Sequence, residues 1–159
     1  MRSNLSSSLE DYLETILDIH NQGSKVRITD ISNALHVEKP SVHYAVSKLK
    51  NLNLVLHNHY EDIILTPQGF ARAKQIKQKH NVIYAFLNNY LGVSSSDAEK
   101  EACRIEHIIG PITMSRLSMF LNYLEQSRGF NTKRWLEFYK RQTGENLDMP
   151  LIATSKKAQ

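Results

Sequence analysis

Apolar residues recur at helical spacing along most of the chain, and strand-like alternation is confined to one short stretch. Leu9, Leu13, Ile16, Leu17 and Ile19, with Tyr12 nearby, predict a first helix. Ser6, Ser7 and Ser8 are its candidate N-caps, and Gly23 stops it. A second helix follows, with Thr29 as the expected cap and Ile31, Ala34 and Leu35 inward. The segment His36-Val37-Glu38-Lys39 reads as a tight turn. Pro40 opens a third helix, where its missing N–H matters little. That helix extends to about Asn51 and turns Val42, Val46 and Leu49 inward. Leu54-Val55-Leu56-His57 then alternates weakly, a polar tip spans His59 to Asp62, and Ile63-Ile64-Leu65 returns as the second arm of a hairpin. Two short helices, a tight turn and a hairpin make a winged helix-turn-helix.

Beyond the hairpin the pattern is helical throughout. Thr66-Pro67 opens a long helix whose first half is basic (Arg72, Lys74, Lys77, Lys79) and whose second half is apolar, Val82 to Leu91, up to Gly92. Ser94, Ser95 and Ser96 are N-cap candidates for a helix over 97–109, with Ser96 and Glu99 spaced as a capping box. Gly110-Pro111 breaks it. Thr113 opens a further helix that is apolar over more than one stripe. It is expected to face both its own core and a second subunit through Leu117, Phe120, Leu121 and Leu124. Trp135, Leu136, Phe138 and Tyr139 form one more amphipathic segment. After Gly144 the chain is polar and basic, with disorder expected past about Leu151. The expected fold is mainly α. A winged helix-turn-helix domain spans 1–74, an all-helical domain that also offers a face to a second subunit spans 75–143, and a polar tail spans 144–159.

The charge is unevenly placed. Of the net +4, residues 25–80 carry nine Lys/Arg against four Asp/Glu, whereas 1–24 and 81–127 are net acidic at −3 and −2. A basic middle between acidic flanks suits a polyanion-binding module beside a segment that holds cations. No apolar run reaches membrane-span length and no signal-peptide core is present, which points to the cytoplasm. The single cysteine excludes an internal disulfide, so Cys103 is a buried thiol, a reactive thiol or a ligand.

The candidate chemistry lies in Glu101 to His107, the run E-A-C-R-I-E-H. Cys103, Glu106 and His107 stand at i, i+3 and i+4, so a helix puts them on one face, and Glu99 one turn earlier can join it. Thiolate, carboxylate and imidazole are strong divalent-metal ligands. Taken alone, the same run also suits a small buried cysteine beside a solvated edge. Asp11 and Glu14 are i, i+3 neighbours in the first helix, where acids also simply favour the helix dipole. His80 marks the place where the long helix passes from basic to apolar.

The order of elements, together with Glu10-Asp11-Tyr12-Leu13-Glu14, the stretch Ile28 to Gly69, His80 and Glu101 to His107, resembles the metalloregulators of the diphtheria toxin repressor and manganese transport regulator family over residues 9 to about 125. The resemblance implies a ligand set of Asp11, Glu14, His80, Cys103, Glu106 and His107. Asp11 and Glu14 match the manganese branch and Cys103 the iron branch; His80, Glu106 and His107 are common to both. Tyr84 and Glu99 stand where the iron branch has ancillary ligands, which implies that such a second site is altered or absent. The chain looks like the two-domain form, without an SH3-like third domain.

The implied function is a homodimeric, metal-dependent repressor of iron or manganese homeostasis, not an enzyme. Fe²⁺ or Mn²⁺ would be co-repressor, with Zn²⁺ or Co²⁺ binding in vitro, and the partner would be a palindromic duplex operator rather than a membrane or a small-molecule substrate. A cation among these acids offsets their repulsion and ties the first helix to helix 97–109. In a dimer this sets two recognition helices ~34 Å apart, one turn of duplex. Arg27, Lys39, Lys48 and Lys50 would hold phosphates, and Pro40, Ser41, His43 and Tyr44 would meet base edges. The rival is a winged-helix repressor that senses oxidation through Cys103. A hydrolase based on Glu106 ranks low, because the sequence offers no nucleophile arrangement and no phosphate-cradling glycine loop.

Overall fold

A computed structural model describes residues 5–58, 62–126, 131–144 and 146. The chain divides into two compact units, 1–78 and 79–159. Within the described residues no helix is long and apolar enough to cross a membrane. The hairpin tip at His59 and the expected disorder past Leu151 lie outside the described residues.

In the first unit, α1 (Ser7–Asn21), α2 (Ile28–Leu35) and α3 (Lys39–Asn51) precede a two-stranded hairpin. Ser6 caps α1, its Oγ accepting from Leu9 N–H, and Gly23 leaves the helix at a φ of 75°, a left-handed position that favours glycine. The buried face of α1 is Tyr12, Leu13, Ile16 and Leu17, as the spacing predicts. Short α2 differs from expectation twice. Its N-cap is Arg27, whose backbone N–H donates to Asp30 Oδ2 at 3.0 Å, and Thr29 lies inside the helix. Ala34 is exposed, because an eight-residue helix has room for one inward stripe and Ile31 occupies its centre. Helix α3 buries Val42, Val46 and Leu49 together with Ala45.

Strands β1 (Val55–Leu56) and β2 (Ile64–Leu65) pair antiparallel, with Val55 opposite Leu65 and Leu56 opposite Ile64. Helix α4 (Pro67–Ala85) begins in this unit. Thr66 joins hairpin to helix: its Oγ1 accepts from Gly69 N–H at 2.9 Å and donates to Asn53 O at 2.7 Å. Gly69 packs so closely on the Leu54 carbonyl that a Cβ would overlap it. The core joins Leu13, Ile16, Ile31, Val46, Leu49 and Ile76. Each such burial stabilises the unit by roughly 2 kcal/mol.

In the second unit, α4 ends at Ala85 and the chain passes into a π-helical turn over Phe86–Tyr90 that the periodicity does not reveal. Buried Asn88 steadies the turn that leads into the next helix, its Nδ2 donating to Val93 O at 2.9 Å. Helix α5 (Ser95–Ile108) is capped by Ser94, whose Oγ accepts from Asp97 N–H at 3.2 Å, and the expected Ser96–Glu99 box is not the cap. Pro111 then starts α6 (Pro111–Gln126), and Asn131 caps α7 (Thr132–Thr143). Ile83, Leu87, Ala98 and Ala102 make the core of this unit, with Ile105, Met114 and Leu117 against it.

Gly69→Ala is expected to lower the unfolding free energy by about 2 kcal/mol, because the Leu54 backbone must move to admit a methyl group. Gly110→Ala, which meets open space, is expected to change it by less than about 0.5 kcal/mol. Urea denaturation of the two variants checks this, and equal midpoints would contradict it.

Candidate metal centre

Helix α5 carries Cys103, Glu106 and His107 on one face, as their spacing predicts. One donor atom from each (the thiol sulfur, a carboxylate oxygen, an imidazole nitrogen) lies within 4.8 Å of the others. Glu106 is the centre of the arrangement, at 1 % exposure. Its Oε2 is 2.9 Å from Nδ1 of buried His80 on α4, and its Oε1 is 3.6 Å from His107 Nε2. Cys103 is exposed. That removes the reading of it as a small buried hydrophobe: Ala98 and Ala102 fill the core-facing positions of α5.

Burying a carboxylate without compensation costs several kcal/mol, so Glu106 requires a cation or a proton nearby. His80 meets that need. Its hydrogen bond to Glu106 raises its pKa above the ordinary 6.5, against the opposing effect of burial, and the Glu106 charge and Glu99 add to the rise. Glu99 Oε1 approaches His80 Nε2 at 3.2 Å, so Glu99 serves the histidine. Sequence reasoning placed Glu99 with the cysteine instead. Among the described residues, however, Glu99 meets the ring as an ion pair only, and His80 Nε2 and Glu106 Oε1 are both buried without a hydrogen-bond partner. With a thiol and a second imidazole beside them, these two atoms fit a divalent cation: once the His80 ring is neutral, its nitrogen and the carboxylate oxygen can both bind one. Tyr84 stacks on the His80 ring at 6.5 Å between centroids, and Lys79 Nζ donates to the Glu106 carbonyl at 3.4 Å. Both steady the region from positions whose role the sequence alone does not reveal.

Asp11 and Glu14 stand on α1 in the first unit, both half-buried. Glu14 Oε1 lies 3.2 Å from Lys77 Nζ, which also donates to Asp18 Oδ2 at 2.9 Å. Burial of Lys77 disfavours its charge, but the Asp18 hydrogen bond and the charges of Glu14 and Asp18 outweigh this and raise its pKa above 10.5. One turn before Glu14, buried Glu10 accepts from Arg72 at 2.7 Å. Neither cation was singled out by sequence reasoning as a partner of α1. The only signal was the basic first half of α4.

Of the expected nucleic-acid contacts, Lys39, Pro40, Ser41, His43, Tyr44, Lys48 and Lys50 are all exposed on α3. They are not equivalent. Lys48 Nζ sits 5.2 Å from the centre of the Tyr44 ring, a cation–π distance. Lys50 Nζ donates to the His57 carbonyl at 2.7 Å and so straps the helix to the hairpin. Arg27 shares Asp62 with Lys25, at 3.9 and 3.2 Å.

On α6 the four expected subunit contacts separate. Leu121 is buried and Leu117 packs on the core of its own unit, whereas Phe120 is exposed and Leu124 is half-buried. Ile112, Met119 and Tyr123 join Phe120 among the exposed apolar side chains. The inward stripe therefore runs through Leu117 and Leu121, and the outward one includes residues the sequence reading passed over.

The family model for the N-terminal DNA-binding domain of iron-dependent repressors matches residues 4–63, and the model for their metal-binding and dimerisation domain matches 66–129. An uncharacterised HTH-type transcriptional regulator of Methanocaldococcus jannaschii is 35% identical over 74% of this chain and 94% of its own length. The HTH-type transcriptional regulator MntR of Listeria welshimeri is 30% identical over 74% of this chain and 82% of its own. Among solved structures, the manganese regulator SloR superposes with a TM-score of 0.66 at 32% identity, covering 72% of this chain. The chain spans about half of that protein, 54% of its length.

His80 has its ordinary pKa of 6.5 when unfolded and a raised one when folded. Its pairing with Glu106 therefore contributes stability that is fully present below 6.5 and is lost as pH rises through the raised value. In protein freed of metal by chelator, the denaturation midpoint of the wild type is expected to fall relative to that of His80→Gln as pH rises above 6.5. Parallel curves would count against the pairing.

Proposed function

The chain belongs to the iron-dependent repressor family, and from that premise we propose that it is a homodimeric repressor loaded with Fe²⁺ or Mn²⁺ that binds a palindromic duplex operator. The family is one of metal-dependent transcriptional regulators that bind DNA and dimerise. The observation that carries the finer reading is the pair of orphaned, buried donors, His80 Nε2 and Glu106 Oε1, beside Cys103 and His107. Asp11 and Glu14 join the proposed ligand set on their donor chemistry and their match to the family's pattern.

When bound, the cation supplies positive charge that lets several acids approach one another. The chain's own residues do the rest. Glu106, His80, Cys103 and His107 would hold the cation, and any proton shared between His80 and Glu106 would compete with it, so loading would weaken in acid. Asp11 and Glu14 would add α1 to the ligand set. Because α1 shares a core with α2 and α3, whatever fixes α1 fixes the recognition helix with it. The effect is a population shift toward a DNA-competent arrangement. Thiolate at Cys103 favours Fe²⁺ and the carboxylates favour Mn²⁺, so the donor set suits both. Phe120 and the exposed apolar residues around it are proposed to meet the second subunit.

On DNA, Lys39 and Lys48 hold phosphates, with Arg27 and Lys50 contributing from sites where each also has an internal partner. Pro40, Ser41, His43 and Tyr44 at the start of α3 face base edges.

Mn²⁺, or Fe²⁺ under anaerobic conditions, is expected to raise operator affinity by tenfold or more, on the order of the usual coupling between allosteric sites. Equal affinities with metal and with chelator would remove the proposal. Lys48→Ala is expected to weaken binding alike on all sequences and to reduce the salt slope by about one. Tyr44→Ala is expected to change sequence preference; the opposite pattern in a binding-site selection would show the two roles reversed.

A further inference from the structure

Helix α1 presents Glu10, Glu14 and Asp18 at four-residue intervals, an acidic ladder along one face. Helix α4 answers with two cations, Arg72 at Glu10 and Lys77 between Glu14 and Asp18. All five residues lie in the first unit. The Glu14 side chain is 13% exposed and Asp18 41%, so the ammonium joins a mostly buried acid to a more exposed one.

We propose that Lys77 is a resident counter-ion for Glu14 that sets the affinity of the metal centre: Glu14 is released to a divalent cation only as Lys77 falls back on Asp18. The inference rests on the reading of Glu14 as a ligand. A lysine suits the task where an arginine would not. Its ammonium is a point charge on a flexible stem and can keep one partner while leaving another, whereas the guanidinium of Arg72 holds its acid in a planar fork. Asp18 gives the displaced ammonium a solvated partner, so the exchange strands no buried charge.

The sign is fixed by two effects that act together. With Lys77 present, a metal ion at Glu14 meets a like charge, and the metal-free state is favoured because Glu14 is already compensated. Without Lys77, both terms reverse and metal binds more tightly. By linkage, the metal-free protein loses what the loaded protein gains in relative terms.

Mn²⁺ binding to the full chain, followed by electron paramagnetic resonance of the free ion, tests this. Lys77→Met is expected to lower the Mn²⁺ dissociation constant on the order of tenfold, the equivalent of one unit in a charge-pair equilibrium. It is also expected to lower the melting temperature of the metal-free protein and to enlarge the rise on adding Mn²⁺. Lys77→Gln serves as a second neutral variant if Lys77→Met does not fold, and Lys77→Arg, which keeps the charge and releases its acid less readily, is expected to bind Mn²⁺ no more tightly than the wild type. In a Glu14→Gln background the effect of Lys77→Met is expected to vanish. Unchanged or weaker Mn²⁺ binding by both neutral variants would overturn the proposal, as would a gain that persists without Glu14 or that Lys77→Arg reproduces. If Glu14→Gln alone binds Mn²⁺ as the wild type does, the ligand assignment of Glu14 is what fails.

Discussion

A carboxylate almost wholly removed from water must be answered by positive charge, and in the second unit that demand is made by Glu106. It stands on α5, the helix whose Ala98 and Ala102 pack the core of this unit. His80 answers it from α4, with Glu99 behind the ring. The compensation is incomplete, since one oxygen of Glu106 and one nitrogen of His80 stay without hydrogen bonds. A structure that needed only stability would replace such a pair with apolar side chains of similar volume, often at a gain. Keeping a half-satisfied pair is consistent with a second, better answer to the same charge. A proton on His80 and a divalent cation are competing solutions to one electrostatic problem.

The first unit shows the same problem handled in two ways. Glu10 is buried and given an arginine, whose guanidinium donates to it at 2.7 Å in a directed, planar geometry. Glu14, one turn on, is given a share in a lysine that Asp18 also holds. The first arrangement is permanent and fastens α1 to α4. The second leaves an exchangeable carboxylate on the same helix face. Rigidity and exchange are thus placed one turn apart, and the fixed pair keeps α1 in register while its neighbour changes partner.

The sequence revealed these features unevenly, for physical reasons. Helices with a single strong stripe, α1 and α3, show their inward residues in the spacing, because burial imposes a 3.6-residue period. Short α2 and the double-striped α6 do so less well: in each, more than one face is compatible with the pattern, and Ala34, expected inward, is exposed. Where several serines compete, the spacing gives the set but not its member: Ser6 and Ser94 are the caps among their triplets, and only the Thr29 cap and the Ser96–Glu99 box fail, since the chosen cap depends on where the preceding segment enters. The π-helical turn at Phe86–Tyr90 left no mark, because its stability comes from contacts such as that of Asn88 with Val93. The shared face of Cys103, Glu106 and His107 was legible from spacing alone. The partners of the acids on α1 were not, because Arg72 and Lys77 lie some sixty residues from them in sequence.

The recognition helix shows why a count of cations is a poor guide to a nucleic-acid face. Lys50 is committed to the His57 carbonyl, so part of its role is to hold α3 against the hairpin, and truncating it would disturb the orientation of both. Arg27 and Lys25 share one aspartate, which sits within the basic region and lowers its field locally. Lys48 is held over an aromatic ring instead of an acid. A cation on a ring keeps its full charge toward solvent, whereas one paired with a carboxylate presents a dipole. Tyr44 and Lys48 are thus one unit on the exposed face of α3, and on the proposed reading of this helix a change at Tyr44 would also move the charge that Lys48 presents.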